Sequence, residues 1–264
     1  MKWTATRIQA CKGRQKVACL TAADFAVARL LDQAGVPLIL VGDSLGMTTL
    51  GYDTTLPVTL EDMQHHTAAV VRGVKQALVI ADMPFMSYQV SPAQALRNAG
   101  RLVQEAGADG VKIEGGKIRA RTVARLVENG IPVLGHLGLT PQSVRALGGY
   151  KVQGRKPDEA KQILADAMAL EKAGVFALVL ECVPEALAQE ITETVTVPTI
   201  GIGAGRYCDG QILVTSDLLG IETGVQAKFT KQYAEVGKIM SGAFKSYVAD
   251  VCSNTFPAKE HTFQ

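Results

Sequence analysis

Short apolar runs alternate with amphipathic stretches along most of this chain. Eight runs rich in Val, Ile and Leu follow one another: VACLTA from Val17, PLILVGD from Pro37, ALVIADM from Ala77, GVKIEGG from Gly110, IPVLGHLG from Ile131, FALVLECV from Phe176, VPTIGIGAG from Val197 and QILVTSD from Gln211. They lack a clean alternation of apolar and polar residues, as is typical of parallel strands buried on both faces. The pattern therefore predicts eight core strands.

Amphipathic helices are predicted between these strands. The clearest begins at Pro157 and repeats apolar residues at the spacing of one helical face, and Gly174 is placed to end it. Eight strand–helix units predict an α/β fold, a (β/α)8 TIM barrel, with a doubly wound open sheet as the alternative. A further helix is expected at the C-terminus from about Phe229. Because we find no linker-like segment, residues 1–264 are expected to form a single barrel domain.

Polar side chains directly follow five of the predicted strands. They are Asp43 with Ser44, Asp82, Lys112 with Glu114, His136, and Glu181. The carboxyl ends of barrel strands meet at one face, which is where TIM barrels carry their active sites. Asp43 and Ser44 have an alternative interpretation as helix N-caps. Lys112 and Glu114 are two residues apart, so both are predicted to face the barrel interior, with a structural ion pair as the alternative to a functional one.

The charges at these strand ends favour a metal site. Four carboxylates converging on one lysine would repel one another, and a divalent cation would relieve that repulsion. Oxygen ligands suit Mg²⁺ or another hard ion. The residues alone leave open which three of the four carboxylates would hold it.

Composition narrows the classes of partner and the cellular compartment that the chain can have. A net charge of +2 gives no electrostatic case for nucleic acid or an anionic membrane surface, and no apolar run is long enough to span a bilayer. The five cysteines are scattered without a C-x-x-C pair, which fits reduced thiols in a cytoplasmic protein.

Three weaker candidates have competing explanations. His65 and His66 lie in a predicted helix, where a surface or packing role is favoured. The glycine run Gly201–Gly205 could cradle a phosphate or allow close backbone packing. The segment Leu137–Pro157 follows the fifth strand and carries several cations without an acid. The cations could contact carboxylates of a substrate, or the segment could be a solvated basic loop or a contact with a second subunit. Its cations are Arg145, Lys151, Arg155 and Lys156.

Several stretches together resemble the ketopantoate (3-methyl-2-oxobutanoate) hydroxymethyltransferase family. The matching stretches are VGDSLGMTTLGYDTTLPVTLEDMQHHTAAV, ADMPF, VKIEGG, GHLGLTPQS, GGYKVQGR, LECVP and GIGAG followed by DGQILV. They run in order along nearly the whole chain, and the long first stretch is highly specific. The chain departs from the family pattern at TAAD, at Thr215 and at Ala227-Lys228-Phe229, none of which is a proposed ligand or base.

The resemblance implies a metal-dependent barrel enzyme. Family members transfer a hydroxymethyl group from 5,10-methylenetetrahydrofolate to 3-methyl-2-oxobutanoate, giving 2-dehydropantoate for pantothenate biosynthesis. Carried over by motif, Asp43, Asp82 and Glu114 match the Mg²⁺ site, and Glu181 matches the catalytic proton acceptor. The oxo-acid contacts match Asp43, Ser44, Asp82 and Lys112. The family is typically decameric, so a homodecamer is expected.

Two other functions remain open at this point. One is a related metal-dependent lyase or aldolase that acts on 2-oxo acids without folate. The other is a catalytically silent barrel that serves as a scaffold. All the strand-end acids are present, which speaks against the scaffold.

Overall fold

Eight parallel strands form a closed barrel in the order of the chain in this computed structural model, which describes residues 2–221 and 227–263. The strands are β1 (Val17–Thr21), β2 (Leu38–Val41), β3 (Leu78–Asp82), β4 (Gly110–Glu114), β5 (Val133–Gly138), β6 (Ala177–Glu181), β7 (Thr199–Ile202) and β8 (Gly210–Leu213). Because β8 pairs with β1, the sheet has no free edge. The predicted TIM barrel is confirmed, and the open-sheet alternative is wrong.

Helices lie between most of the strands. They are α1 (Ala5–Gln9), α2 (Phe25–Gln33), α3 (Leu45–Thr48), α4 (Leu60–Gly73), α5 (Pro92–Gln104), α6 (Ala120–Glu128), α7 (Val144–Leu147), α8 (Pro157–Lys172), α9 (Glu185–Thr194), α10 (Thr215–Leu219) and α11 (Val236–Cys252). The helix predicted from Pro157 is therefore α8. Short 3₁₀ turns occur at Lys117–Arg119, Pro141–Ser143 and Lys259–His261.

The period-2 geometry of the strands sorts their side chains into two layers. In β2, Leu38 and Leu40 join an apolar cluster made mainly of strand residues, which fills the barrel interior. Ile39 and Val41 belong to the larger cluster that also contains the inner faces of the helices. The same alternation runs through the other strands, so the side a residue faces follows from its place in the strand.

The amino end of the barrel is closed by a buried polar hub. Asp209 precedes β8, and its carboxylate accepts hydrogen bonds from the Lys12 ammonium at 2.9 Å, the Gly13 amide at 3.1 Å and the Thr199 amide at 2.9 Å. Ile8 of α1, which precedes Lys12 along the chain, is fully buried in the interior cluster. These contacts fix the amino end of the barrel and leave the carboxyl end for chemistry.

The chain divides into two compact units, Met1–Val214 and Thr215–Gln264. The first contains the whole barrel, and the second contains α10 and α11. The expected C-terminal helix is present, but it begins at Val236 rather than near Phe229. That all 264 residues form one domain stays a prediction. None of the described helices is both long and apolar enough to cross a membrane.

Candidate active site

The strand-end charges lie in the inward-facing rows of the barrel, as the two-residue period predicted. The register places Asp82 beside Lys112 and Glu114 beside His136. All four side chains are buried, with Lys112 only 3% exposed. Val111 and Ile113, which alternate with Lys112 and Glu114 along β4, pack in the layer between strands and helices. Apolar residues fill the lower barrel, and charged residues complete its carboxyl end.

Lys112 lies at the centre of the acids. Its Nζ is 2.7 Å from Asp82 Oδ1, 3.5 Å from Glu114 Oε1 and 3.1 Å from His136 Nδ1. Burial opposes the lysine charge, but the carboxylates of Asp82, Glu114 and Asp43 outweigh it and raise the pKa of Lys112 above its usual value. The ammonium is therefore held charged in a site from which water is excluded.

Asp43 joins this cluster from the end of β2. Its backbone amide donates to Asp82 Oδ2 at 2.9 Å, and its own Oδ2 accepts a hydrogen bond from the Gln142 side chain at 2.9 Å. Burial, reinforced by Asp82 and Glu114, raises the pKa of Asp43 well above its ordinary value. Ser44 precedes α3 but makes no side-chain capping bond. The capping interpretation therefore fails for Ser44, and the Asp43 carboxylate is part of the acid cluster.

His136 links the cluster to Glu181. Its Nδ1 lies 3.5 Å from Glu114 Oε1, and its Nε2 lies 3.1 Å from Glu181 Oε2, an ion-pair distance without hydrogen-bond alignment. Burial and the Lys112 charge lower the pKa of His136, but the two carboxylates outweigh them and raise it to about 9. The Glu181 side chain is 16% exposed, against 3% for His136. Of the acids, Glu181 is thus the one placed towards the open mouth of the barrel.

The acids have the chemistry of a cation site without a finished ligand shell. Among the described residues, no group of three or more His, Cys, Asp or Glu side chains is arranged to hold an ion as it stands. The Lys112 ammonium occupies the space between Asp82 and Glu114. Even so, the Asp82 and Glu114 carboxylates are both buried beside a single lysine, and burial raises the pKa of Asp82 despite Lys112. Such a donor set fits a hard divalent cation.

Three residues of the site were not predicted from the sequence. Gln142 and Tyr88 are buried among the acids, 5% and 1% exposed. Tyr150 lies on the loop after β5; its Oη is 3.7 Å from Met47 Sδ, and burial followed by the charge of Glu181 and other acids raises its pKa. Both Gln142 and Tyr150 fall within stretches quoted for the family resemblance, but nothing in their spacing marks them.

The weaker candidates have structural explanations or remain open. His66 Nδ1 lies 2.6 Å from the Ala23 carbonyl oxygen, which is a packing role within the helical layer. A Cβ on Gly205 would come within 2.4 Å of the Glu185 side chain, so close packing accounts for that glycine. The cations of the loop after β5 are exposed, and Lys156 pairs with Glu159 at 3.4 Å.

Comparisons with known proteins found one matching family model and several similar enzymes. A family model described as ketopantoate hydroxymethyltransferase matches residues 2–259. The 3-methyl-2-oxobutanoate hydroxymethyltransferase of Thermoanaerobacter sp. (strain X514) is 58% identical over 252 residues, which are 96% of this chain and 92% of that protein. The protein of the same name from Clostridium novyi (strain NT) is 53% identical over 265 residues, 100% of this chain and 96% of that protein.

Solved structures share the barrel at much lower identity. Phosphonopyruvate hydrolase matches with a TM-score of 0.64 and 12% identity, covering 99% of this chain and 92% of that chain. A 2,3-dimethylmalate lyase of the PEP mutase/isocitrate lyase superfamily matches with a TM-score of 0.62 and 15% identity, covering 98% of this chain and 92% of that chain. At these identities the likeness extends to the fold alone.

Proposed function

The chain belongs to the ketopantoate hydroxymethyltransferase family, and on that premise we propose that it transfers a hydroxymethyl group from 5,10-methylenetetrahydrofolate to 3-methyl-2-oxobutanoate. The products would be 2-dehydropantoate, a precursor of pantothenate, and tetrahydrofolate. The observation that carries the proposal within the structure is the buried Lys112, which is surrounded by strand-end acids and linked through His136 to Glu181.

Three of the acids would bind the metal ion, and the fourth, Glu181, would transfer a proton. Asp43, Asp82 and Glu114 would hold Mg²⁺ or a similar divalent cation, which supplies Lewis-acid polarisation of the keto oxygen when bound. Asp43 and Asp82, with Ser44 and Lys112, would contact the oxo acid. Lys112 places a fixed positive charge where the enolate oxygen develops, in a site that excludes water.

Glu181 would remove the proton from C3 of the oxo acid. It ends β6 and is more exposed than the acids around Lys112, so it can face a substrate that the other acids bind. His136, 3.1 Å away, keeps the Glu181 carboxylate at this place. The resulting carbon nucleophile would then form a carbon–carbon bond to the one-carbon unit of the folate. Both carbon–nitrogen bonds of that unit break, water supplies the hydroxyl oxygen, and the two nitrogens of the released tetrahydrofolate each gain a proton.

A turnover assay tests this function directly. The purified protein is incubated with 3-methyl-2-oxobutanoate, with and without methylenetetrahydrofolate and Mg²⁺, and 2-dehydropantoate is measured. Product should require both. Turnover of the oxo acid without folate would instead favour a lyase or aldolase.

Exchange of the C3 proton with deuterated solvent tests Glu181 separately. Glu181→Gln should bind the oxo acid and the metal but lose this exchange. Exchange at the wild-type rate would assign the base to another group.

We also propose a cytoplasmic homodecamer. The five cysteines are free, and four of them are buried, which suits a reducing compartment. None of the residues of α11 is buried, and Ile239 and Phe244 are 68% and 62% exposed, so this helix offers apolar surface for self-association. Native mass spectrometry would measure the number of subunits, and a monomer would contradict the proposal.

A further inference from the structure

One buried glutamine forms hydrogen bonds at three neighbouring strand ends of the site. The Gln142 side chain donates from Nε2 to Asp43 Oδ2 at 2.9 Å and to the Met83 carbonyl oxygen at 2.9 Å. Its backbone amide donates to Glu114 Oε2 at 3.0 Å. Gln142 belongs to the 3₁₀ turn after β5, so this one residue connects the ends of β2, β3 and β4 from outside those strands.

The orientation of this amide is fixed by its other neighbours. Gln142 Oε1 accepts from Tyr88 Oη at 2.7 Å and from Gln89 Nε2 at 3.3 Å. The Tyr88 hydroxyl in turn accepts from the Glu114 backbone amide at 3.3 Å. A flipped amide would place Oε1 against the two oxygens of Asp43 and Met83, so only the observed orientation satisfies every partner. Tyr88 and Gln142 are both buried, so water cannot replace these bonds.

These bonds determine which carboxylate oxygens remain available. Asp43 Oδ2 and Glu114 Oε2 are taken by Gln142, whereas Glu114 Oε1 faces Lys112 Nζ and His136 Nδ1, each at 3.5 Å. Two buried carboxylates would otherwise turn away from each other. An amide donor holds them together without adding a positive charge, and a lysine or arginine at this place would compete with a bound cation.

We propose that Gln142 is a positioning residue for the cation site, with Tyr88 fixing its amide. The inference rests on the proposed function only in that the acids bind a divalent cation. Gln142 occupies one oxygen of each carboxylate: Oδ2 of Asp43 through its side chain and Oε2 of Glu114 through its backbone amide. Residues that orient metal ligands in this manner typically alter metal affinity by about 10–100-fold when they are replaced.

Mn²⁺ binding to the protein without substrates tests the proposal. Affinity is measured by electron paramagnetic resonance and by calorimetry, so neither readout requires turnover. Gln142→Leu should bind Mn²⁺ at least about tenfold more weakly than wild type. Gln142→Glu should also bind more weakly, because a carboxylate cannot donate to Asp43. A purely electrostatic role would predict the opposite, since the added negative charge would attract the ion.

A double variant separates positioning from general damage. If Gln142 acts through Asp43, Gln142→Leu combined with Asp43→Asn should bind Mn²⁺ no more weakly than Asp43→Asn alone. Thr199→Val is the matched control, because Thr199 is fully buried in the polar hub at the other end of the barrel, where its Oγ1 hydrogen-bonds to Asp209 and Thr192. It should lower stability and leave Mn²⁺ affinity unchanged. Tyr88→Phe should weaken binding less than Gln142→Leu.

The outcomes distinguish this inference from the proposed reaction. A folded Gln142→Leu protein with wild-type Mn²⁺ affinity would overturn the inference and leave the transferase activity standing. Weakened Mn²⁺ binding in a protein that does not make 2-dehydropantoate would support the inference while the proposed reaction fails. A wild-type protein that binds no Mn²⁺ would overturn the positioning role.

Discussion

Replacing Lys112 by methionine keeps an unbranched side chain but removes a positive charge from between buried carboxylates. At an effective dielectric constant of about 20, the 2.7 Å contact with Asp82 corresponds to about 6 kcal/mol, and the 3.5 Å contact with Glu114 to about 5 kcal/mol. Desolvation of the ions offsets several kcal/mol for each of them. Removing one partner of such a buried pair typically lowers the free energy of unfolding by about 3–5 kcal/mol, which is our expectation here.

Urea unfolding at pH 7 in the presence of EDTA, followed by circular dichroism, measures this loss. The informative comparison is the double variant Lys112→Met with Asp82→Asn. Because it removes a carboxylate that the single change leaves unpaired, it should be more stable than Lys112→Met alone. A loss below about 1 kcal/mol for the single variant, or a double variant that shows the plain sum of the two losses, would refute the reasoning.

Three further predictions follow from other contacts. Asp209→Asn should lower the free energy of unfolding at pH 7 by about 1–3 kcal/mol. Burial raises the Asp209 pKa, but hydrogen bonds outweigh it and lower the pKa overall, so in pH-dependent urea unfolding this deficit should shrink as pH falls through the folded-state value. His136→Asn should lower kcat and leave the KM for the oxo acid nearly unchanged in steady-state kinetics, because Glu181 loses the imidazole beside its carboxylate. Replacing Arg155 and Lys156 by glutamine should raise the KM for methylenetetrahydrofolate at low salt and leave the oxo-acid KM unchanged; an unchanged folate KM would assign the loop another role.

The sequence predicted the barrel well because its strands obey a simple rule. Each apolar run became a strand, and the two-residue period correctly turned Lys112 and Glu114 inward. Their meeting with Asp82 then required only that parallel strands end at one face. The position of the C-terminal helix was less well predicted: it begins at Val236, because the residues from Phe229 to Glu235 form turns and irregular structure.

The role of Gln142 lay outside such rules. Its partner Asp43 is 99 residues away in sequence, and the two meet through a loop whose path no periodicity specifies. A glutamine after a Pro in a turn has the same sequence signature whether it is buried or exposed. Residues that orient other side chains are therefore found from contacts, whereas residues with formal charges at strand ends can be found from pattern.

The acids and the lysine lie at the ends of β2, β3, β4 and β6, and His136 on β5 completes a run of five consecutive strands. Barrel chemistry of this kind is concentrated along one arc of the rim. A protein engineer can therefore treat this arc and the rest of the rim as separate modules. The loops that follow β7 and β1 hold none of the side chains of the acid cluster, so they can be varied while the arc proposed to activate the oxo acid is inherited intact. Libraries that randomise the whole rim would discard this advantage.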